Sequence, residues 1–323
     1  MKTLHEFTNF FESELRPVLE RFEVRRKEIV KKFLVVVAVT LLIGGTVAIS
    51  IEAFREVPVL LLFVLFGVIA VVAVTWWFLT RKFVLEFKLG VIGPIVTFCD
   101  PSLVYTPRGG VSERRFRESE IFKSRIDRFR GEDHVRGTVG ATAIEFSELH
   151  AQYKTRTTDS KGRSRTQWHT IFRGLFFVAD FNKHFNGTTV VLPDVAERLF
   201  GFLGKKLQAM NLFRGELIKL EDPEFEKNFV VYGDDQVEAR YILSPALMSR
   251  ITEFKKKTDR KVHLSFVRSN VFVAISMTRN LFEPKMFRSM VDANVAAEYL
   301  QDLQFATGIV EDLNLNTRIW TKE

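Results

Sequence analysis

Cysteine is almost absent: Cys99 is the only one in 323 residues. A lone thiol cannot close an internal disulfide, so nothing in the composition points to an oxidising compartment. Beside Phe98, Cys99 reads as a small apolar residue rather than a nucleophile. Also lacking are a Walker glycine loop, G-x-G-x-x-G, H-E-x-x-H, paired C-x-x-C and G-x-S-x-G. Those absences leave no motif that calls for a cofactor or assigns a catalytic residue.

Charge is missing from two long runs, residues 33–51 and 57–80. These 19 and 24 residues reach about 28 and 36 Å as helices, against a hydrocarbon layer about 30 Å thick. They read as a transmembrane hairpin. No small-residue cleavage site follows the first run, so it is not read as a cleavable signal. Arg16, Arg21, Arg25, Arg26, Lys27, Lys31 and Lys32 precede it. Arg81, Lys82 and Lys88 follow the second run, while the turn between them holds Arg55 beside Glu52 and Glu56. The positive-inside bias places both termini in the cytoplasm. Trp76 and Trp77 sit at the inner end of the second run, at interface depth, and Gly44, Gly45 and Gly67 offer sites for close helix contact. With no ionisable side chain inside either run, the hairpin reads as an anchor rather than a transport path.

What is present in excess is positive charge, net +8, in three clusters. Residues 21–32 carry six cations against two acids, 105–130 eight against four, and 154–173 six against one. A membrane chain with such clusters is suited to an anionic leaflet.

Before the hairpin, Leu4, Phe7, Phe11, Leu15, Val18 and Phe22 recur at steps of three and four, the spacing of one helical face. Pro17 removes a backbone donor there and is expected to kink the helix. Whether this face meets the membrane, a partner or the rest of the chain stays open. After the hairpin, residues 84–102 read as a continuing helix broken at Gly93-Pro94, and 112–128 as a further helix. Residues 131–140 read as a glycine-spaced connection.

The period then changes. Ile144 and Phe146 share one parity, and Leu149, Ala151 and Tyr153 the other, so a strand with a bulge near Ser147-Glu148 is expected. Residues 168–181 read as its hairpin partner, 187–192 and 229–232 as short strands, and 262–266 with 271–275 as a second hairpin. Asp222-Pro223, Asp235 to Glu238 and Ser244-Pro245 read as helix starts. Ala296, Leu300, Leu303, Val310 and Leu313 mark a C-terminal amphipathic helix. The expected class is α+β with antiparallel sheet. The expected organisation is an amphipathic helix (1–32), two spans (33–51 and 57–80), a helical connector (84–135) and a cytoplasmic domain (136–290), then a C-terminal helix and tail (291–323). The cytoplasmic domain is one sheet or two small ones, 142–192 and 229–277.

The leading functional candidate is the polar stretch between the first two strands. Lys154, Arg156, Lys161, Arg163 and Arg165, interleaved with serine and threonine, suit phosphate groups of lipids or another polyanion. Nucleic acid is not the expected partner, because Tyr153 and Trp168 read as strand residues rather than stacking platforms. Asp180, His184 and His134 are alternative metal ligands, each equally explained by turn or strand-end chemistry. The leading reading is therefore a binding or scaffolding module, with a tethered hydrolase or metal-dependent enzyme, or a subunit of a larger membrane complex, as alternatives.

Several runs occur in a familiar order. They are Gly131-Glu-Asp-His-Val-Arg-Gly137, Ile144-Glu-Phe-Ser-Glu-Leu149, Ile171-Phe-Arg-Gly-Leu-Phe-Phe177 with Ala179-Asp-Phe-Asn182, and Tyr232-Gly-Asp-Asp-Gln-Val-Glu-Ala-Arg-Tyr241 with Ser244-Pro-Ala246. Following a two-span hairpin, they resemble a bacterial membrane-protein family known as domain of unknown function thirty-one thirty-seven, over about residues 84–290. The resemblance implies a bacterial inner-membrane protein and a LemA-type membrane protein as partner. It carries no catalytic residue.

Overall fold

A computed structural model describes residues 4–50, 59–158, 162–181, 186–194 and 215–316. The chain divides into two compact units, residues 1–98 with 282–300, and residues 99–281 with 301–323.

The first unit is helical. Helix α1 (Leu4–Phe10) passes through a π turn (Phe11–Leu15) into α2 (Arg16–Ser50). Helix α3 (Val59–Phe87) passes through a second π turn (Lys88–Ile92) into α4 (Gly93–Cys99). The break expected at Gly93-Pro94 is therefore absent, and the chain stays helical through Pro17 as well. Each π turn ends two residues before a proline, Pro17 or Pro94. The wider turn re-registers the ladder just where proline withholds its donor, so the chain stays helical. The apolar runs lie bare, with Leu42 69% and Phe63 68% exposed, whereas Phe7, Phe11, Leu15, Leu19 and Phe22 ahead of them are buried. That amphipathic face packs on the polar-flanked end of the second long helix. Phe22 meets Phe83 and Phe87 edge-on, both with centroids 5.7 Å away, and Phe10 stacks on Phe98 at 4.3 Å. Of the three hairpin glycines only Gly44 is in tight contact: a Cβ there would lie 2.9 Å from Val68 Cγ2.

Residues 282–292 and the start of α9 (Ala293–Asp312) complete this unit. Arg26 and Glu23 form a buried bidentate pair, with Nη2 to Oε1 at 2.6 Å and Nε to Oε2 at 2.9 Å. Arg26 also donates to the Met286 carbonyl at 2.7 Å, and Glu23 accepts from the Met290 amide at 3.1 Å. Buried Lys88 pairs with Glu283 at 2.7 Å. Phe287 stacks on Trp76 at 5.2 Å.

The second unit is one nine-stranded antiparallel sheet, not two small ones. Its strands are β1 (Val104–Thr106), β2 (Arg128–Val139), β3 (Thr142–Thr158), β4 (Ser164–Asp180), β5 (Thr188–Pro193), β6 (Glu216–Ile218), β7 (Phe229–Gly233), β8 (Val262–Val267) and β9 (Asn270–Ser276). They lie in the order β1-β2-β3-β4-β9-β8-β5-β7-β6. The β4–β9 pairing joins the two expected halves, with Phe177 opposite Val273. The helix expected over 112–128 is only α5 (Glu113–Glu118), capped by Ser112. The expected connector over 131–140 is strand β2, and the span 84–135 is thus not wholly helical. A bulge between Glu132 and Val135 scrambles the alternation of β2, which hides it as a strand.

Strand β3 carries no break near Ser147-Glu148. Its parity change has another cause. Ile144 and Phe146 are buried on one face, Leu149 and Ala151 on the other, because different stretches of the strand are covered on different sides. Leu149, Ala151, Phe172, Phe176, Phe272 and Ala274 share one core cluster with Val111, Phe116 and Ile121. The extra residues lie in the neighbouring strands: β2 bulges between Glu132 and Val135, opposite Ser147, and β4 between Thr170 and Phe172, opposite the Ala151–Gln152 step. Helices α6 (Pro223–Asn228), α7 (Gln236–Ile242) and α8 (Pro245–Thr258) start at the side-chain caps Asp222, Asp235 and Ser244, as the sequence signals. Helix α8 meets the latter part of α9 through a stacked Phe254–Phe305 pair and a Lys257–Asp312 ion pair at 2.9 Å.

Candidate functional site

Strand alternation sorts the side chains of β2, β3 and β4. One face sends Leu149, Ala151 and Phe172 into the core. The other carries Glu148, His150, Gln152, Lys154 and Arg156 along β3, two residues apart. Register adds the neighbours. Glu132 faces Glu148, Arg130 faces His150 and Arg128 faces Gln152 across β2–β3, while Arg173 faces His150 and Trp168 faces Lys154 across β3–β4.

The inner end of this face opens into a cleft of about 640 Å³. Arg130, Glu132, Glu148, His150, Arg173 and Asn280 contribute to its walls. Gly174 forms part of the floor at φ +149°, where a Cβ would lie 2.0 Å from the Ile275 carbonyl oxygen, so only glycine fits.

Acids gather at one side. Oxygens of Glu132, Asp133 and Glu148 lie within 4.8 Å of one another. Asp133 sits in the β2 bulge at φ +58°, is buried, and accepts from the Tyr105 hydroxyl at 2.5 Å. Glu132 accepts from Asn280 Nδ2 at 3.2 Å, and Glu148 accepts from the Leu281 amide. Three carboxylates are the ligand type of a hard divalent cation, yet here each accepts a protein donor.

Cations gather beside them. Arg279 is held bidentately by Asp302. Arg173 donates to Asn280 Oδ1 at 3.1 Å, and the Arg128 guanidinium lies 4.0 Å above the Trp168 ring. His150 is 3.3 Å from Thr170 Oγ1. Its ring is held below the usual histidine range, first by burial and then by Arg173, Arg130 and Arg128.

The residues singled out in the sequence fall elsewhere. Lys154 and Arg156 lie exposed on β3, at the outer end of this same face. Arg165, opposite Thr157, projects from the reverse face, and Arg163 lies in the turn before β4; Lys161 is outside the described residues. Pleating therefore splits the basic tip between two faces of a ribbon. Asp180 ends β4 opposite Asn270, and His184 is outside the described residues. His134 lies 3.2 Å from Glu145, which also accepts from Arg115 at 2.9 Å. Among the described residues, neither Asp180 nor His134 belongs to the acidic group. Cys99, half-buried, ends α4. The sequence pairs Glu148 with His150 on one face, but Arg130, Glu132, Arg173 and Asn280 join them only through cross-strand register and a loop.

Comparison with known proteins adds little on activity. No curated protein matches the chain. The solved structure of the mycobacterial trehalose monomycolate transport factor A, TtfA, aligns over 68% of this chain and 95% of its own, at 9% identity and a TM-score of 0.31. Residues 170–315 match the family model described as Protein of unknown function (DUF3137), starting later and reaching further than the motif resemblance over 84–290, so this stretch carries a DUF3137 domain.

Proposed function

We propose that this chain is a membrane-anchored binding module of a bacterial inner membrane, with two spans and both termini cytoplasmic. Its β3–β4 ribbon contacts anionic headgroups through Lys154, Arg156, Lys161, Arg163 and Arg165. The observation that carries the anchoring is the bare apolar surface of α2 and α3: two unbroken helical stretches of 45 and 41 residues bury nothing along their most apolar windows. Water opposes such exposure, whereas lipid tails match it. Trp76, stacked on Phe287 and met edge-on by Phe33, lies where the apolar run gives way to Arg81 and Lys82, as an interfacial ring does. The contact with lipid is supported by the exposure of Lys154, Arg156, Arg163 and Arg165 on an open two-stranded ribbon. Each such cation near an anionic surface contributes about 1 kcal/mol.

The test uses the full chain in nanodiscs. Tryptic cleavage at the ribbon is expected to slow several-fold in phosphatidylglycerol discs relative to phosphatidylcholine discs, and 1 M salt is expected to abolish the difference. Equal cleavage in both lipids removes the ribbon from the mechanism. In-cell crosslinking then identifies any membrane-protein partner, a LemA-type protein among the candidates.

A further inference from the structure

We propose that the cleft between β2, β3 and β4 is a binding site for a phosphate ester, gripped by Arg130 and Arg173 on either side of His150. This goes beyond the headgroup contact of the ribbon, because it uses different residues and a different ligand geometry.

Three basic side chains stand in one row across three neighbouring strands: Arg130 faces His150, and His150 faces Arg173. Like charges directly opposite one another destabilise a sheet, so an anion or an uncharged centre favours this row. His150 supplies the uncharged centre, since burial and the arginines of β2 and β4 depress its protonation. Neither Arg130 nor Arg173 is ion-paired among the described residues; Arg173 donates only to the neutral Asn280 side chain. Of the acids nearby, Glu132 accepts from Asn280, Glu148 from the Leu281 amide, and Asp302 holds Arg279, so their printed bonds go to groups other than Arg130 and Arg173. Arg128, one step further along β2, adds positive potential and is fixed on Trp168.

The geometry suits a tetrahedral oxyanion. Strands β2 and β4 flank β3, which puts the two arginine backbones about 10 Å apart. Arg130 and Arg173 both line the cleft, and a guanidinium fork from each would grasp separate oxygens of one phosphate at about 2.8 Å. The imidazole between them donates or accepts a further hydrogen bond. A cleft of about 640 Å³ is far larger than inorganic phosphate and falls within the range for organic ligands, so the phosphate bears a substituent. That substituent belongs to a soluble phosphorylated metabolite or to a lipid headgroup, and the experiment separates the two.

The full chain is purified in a maltoside detergent, which contains no phosphate. It is titrated with inorganic phosphate, glycerol 3-phosphate and dihexanoyl phosphatidylglycerol, read by calorimetry and by the ring carbon signals of labelled histidine. The expected result is saturable binding with a shift of the His150 signal and a rise of its titration midpoint, as the anion offsets Arg128, Arg130 and Arg173. Arg130→Gln and Arg173→Gln are each expected to weaken binding at least tenfold. Arg130→Gln has no ion pair to lose, so its melting temperature serves as the folding control. With glycerol 3-phosphate, which offers no lipid surface, the His150 shift is expected to depend on Arg130 and Arg173 alone, which separates it from the ribbon's headgroup contact. Glycerol 3-phosphate binding as tightly as the short lipid assigns a soluble ligand, and a lipid preference of tenfold or more assigns a headgroup. Absence of a saturable His150 shift with all three probes overturns the proposal, as does undiminished binding by the folded Arg130→Gln variant.

Discussion

At the scale of single residues, the polar groups of the sheet unit explain one another in pairs. Glu145 receives hydrogen bonds from both His134 and Arg115, and these hold its carboxyl below the ordinary 4.5 against the opposing effect of burial, the His134 bond being the largest cause. A carboxylate with a depressed folded value contributes stability above its unfolded value and loses it as pH falls through the folded one. The unfolding midpoint of the full chain is therefore expected to drop on acidification below about pH 4.5, and Glu145→Gln should flatten part of that drop. At neutral pH the same substitution removes the charged acceptor of a half-buried arginine, at a cost of about 1–3 kcal/mol. Denaturant titration at pH 7 and pH 3.5 measures both effects. Gly174 gives a steric prediction. Any Cβ there meets the Ile275 carbonyl and the Met277 amide, so Gly174→Ala should lower stability by several kcal/mol, read as a fall in melting temperature.

Helices and strands were legible to different degrees. The capping signals at Asp222, Asp235 and Ser244 are local chemistry, since a side-chain oxygen two or three residues from an amide needs no tertiary partner. Strand β2 was not legible, because its bulge and glycines erase the alternation that marks a strand. The changed parity along β3 pointed to a bulge, but coverage by different layers on the two faces produces the same pattern. Pro94 was expected to break its helix and Pro17 to kink its own; a π turn precedes each, and the chain stays helical through both. The buried Arg26–Glu23 pair binds α2 to residues 286–290, so Glu23→Ala would leave Arg26 buried without its partner. A loss of about 3–5 kcal/mol is expected, visible as earlier thermal unfolding and faster proteolysis around residues 284–292. Gly44→Leu is expected to push α2 away from Val68, read as a longer spin-label distance between the two helices.

For the molecule as a whole, the anchoring reading makes a physical commitment. Washing membranes with alkaline carbonate or 1 M salt should leave the chain in the pellet, while detergent releases it, since apolar burial is insensitive to ionic screening. Release by salt alone would reduce the long helices to a soluble or peripheral arrangement. The same surface logic separates the two basic regions of the sheet unit. The ribbon tip is open on both faces and suits a diffuse, salt-sensitive contact. The cleft is lined by Arg130, His150 and Arg173 from three neighbouring strands, and suits one discrete anion.

The sequence by itself determined whatever depends on neighbours along the chain: the uncharged apolar runs and their basic flanks, the helix caps, and the α+β class. Only the tertiary structure decided that nine strands make one sheet, that the basic tip is split between two ribbon faces, and that Arg130, His150 and Arg173 form a row. The reason is register. Alternation along a strand is written in its own residues, but which strand lies beside it is set by contacts between distant segments.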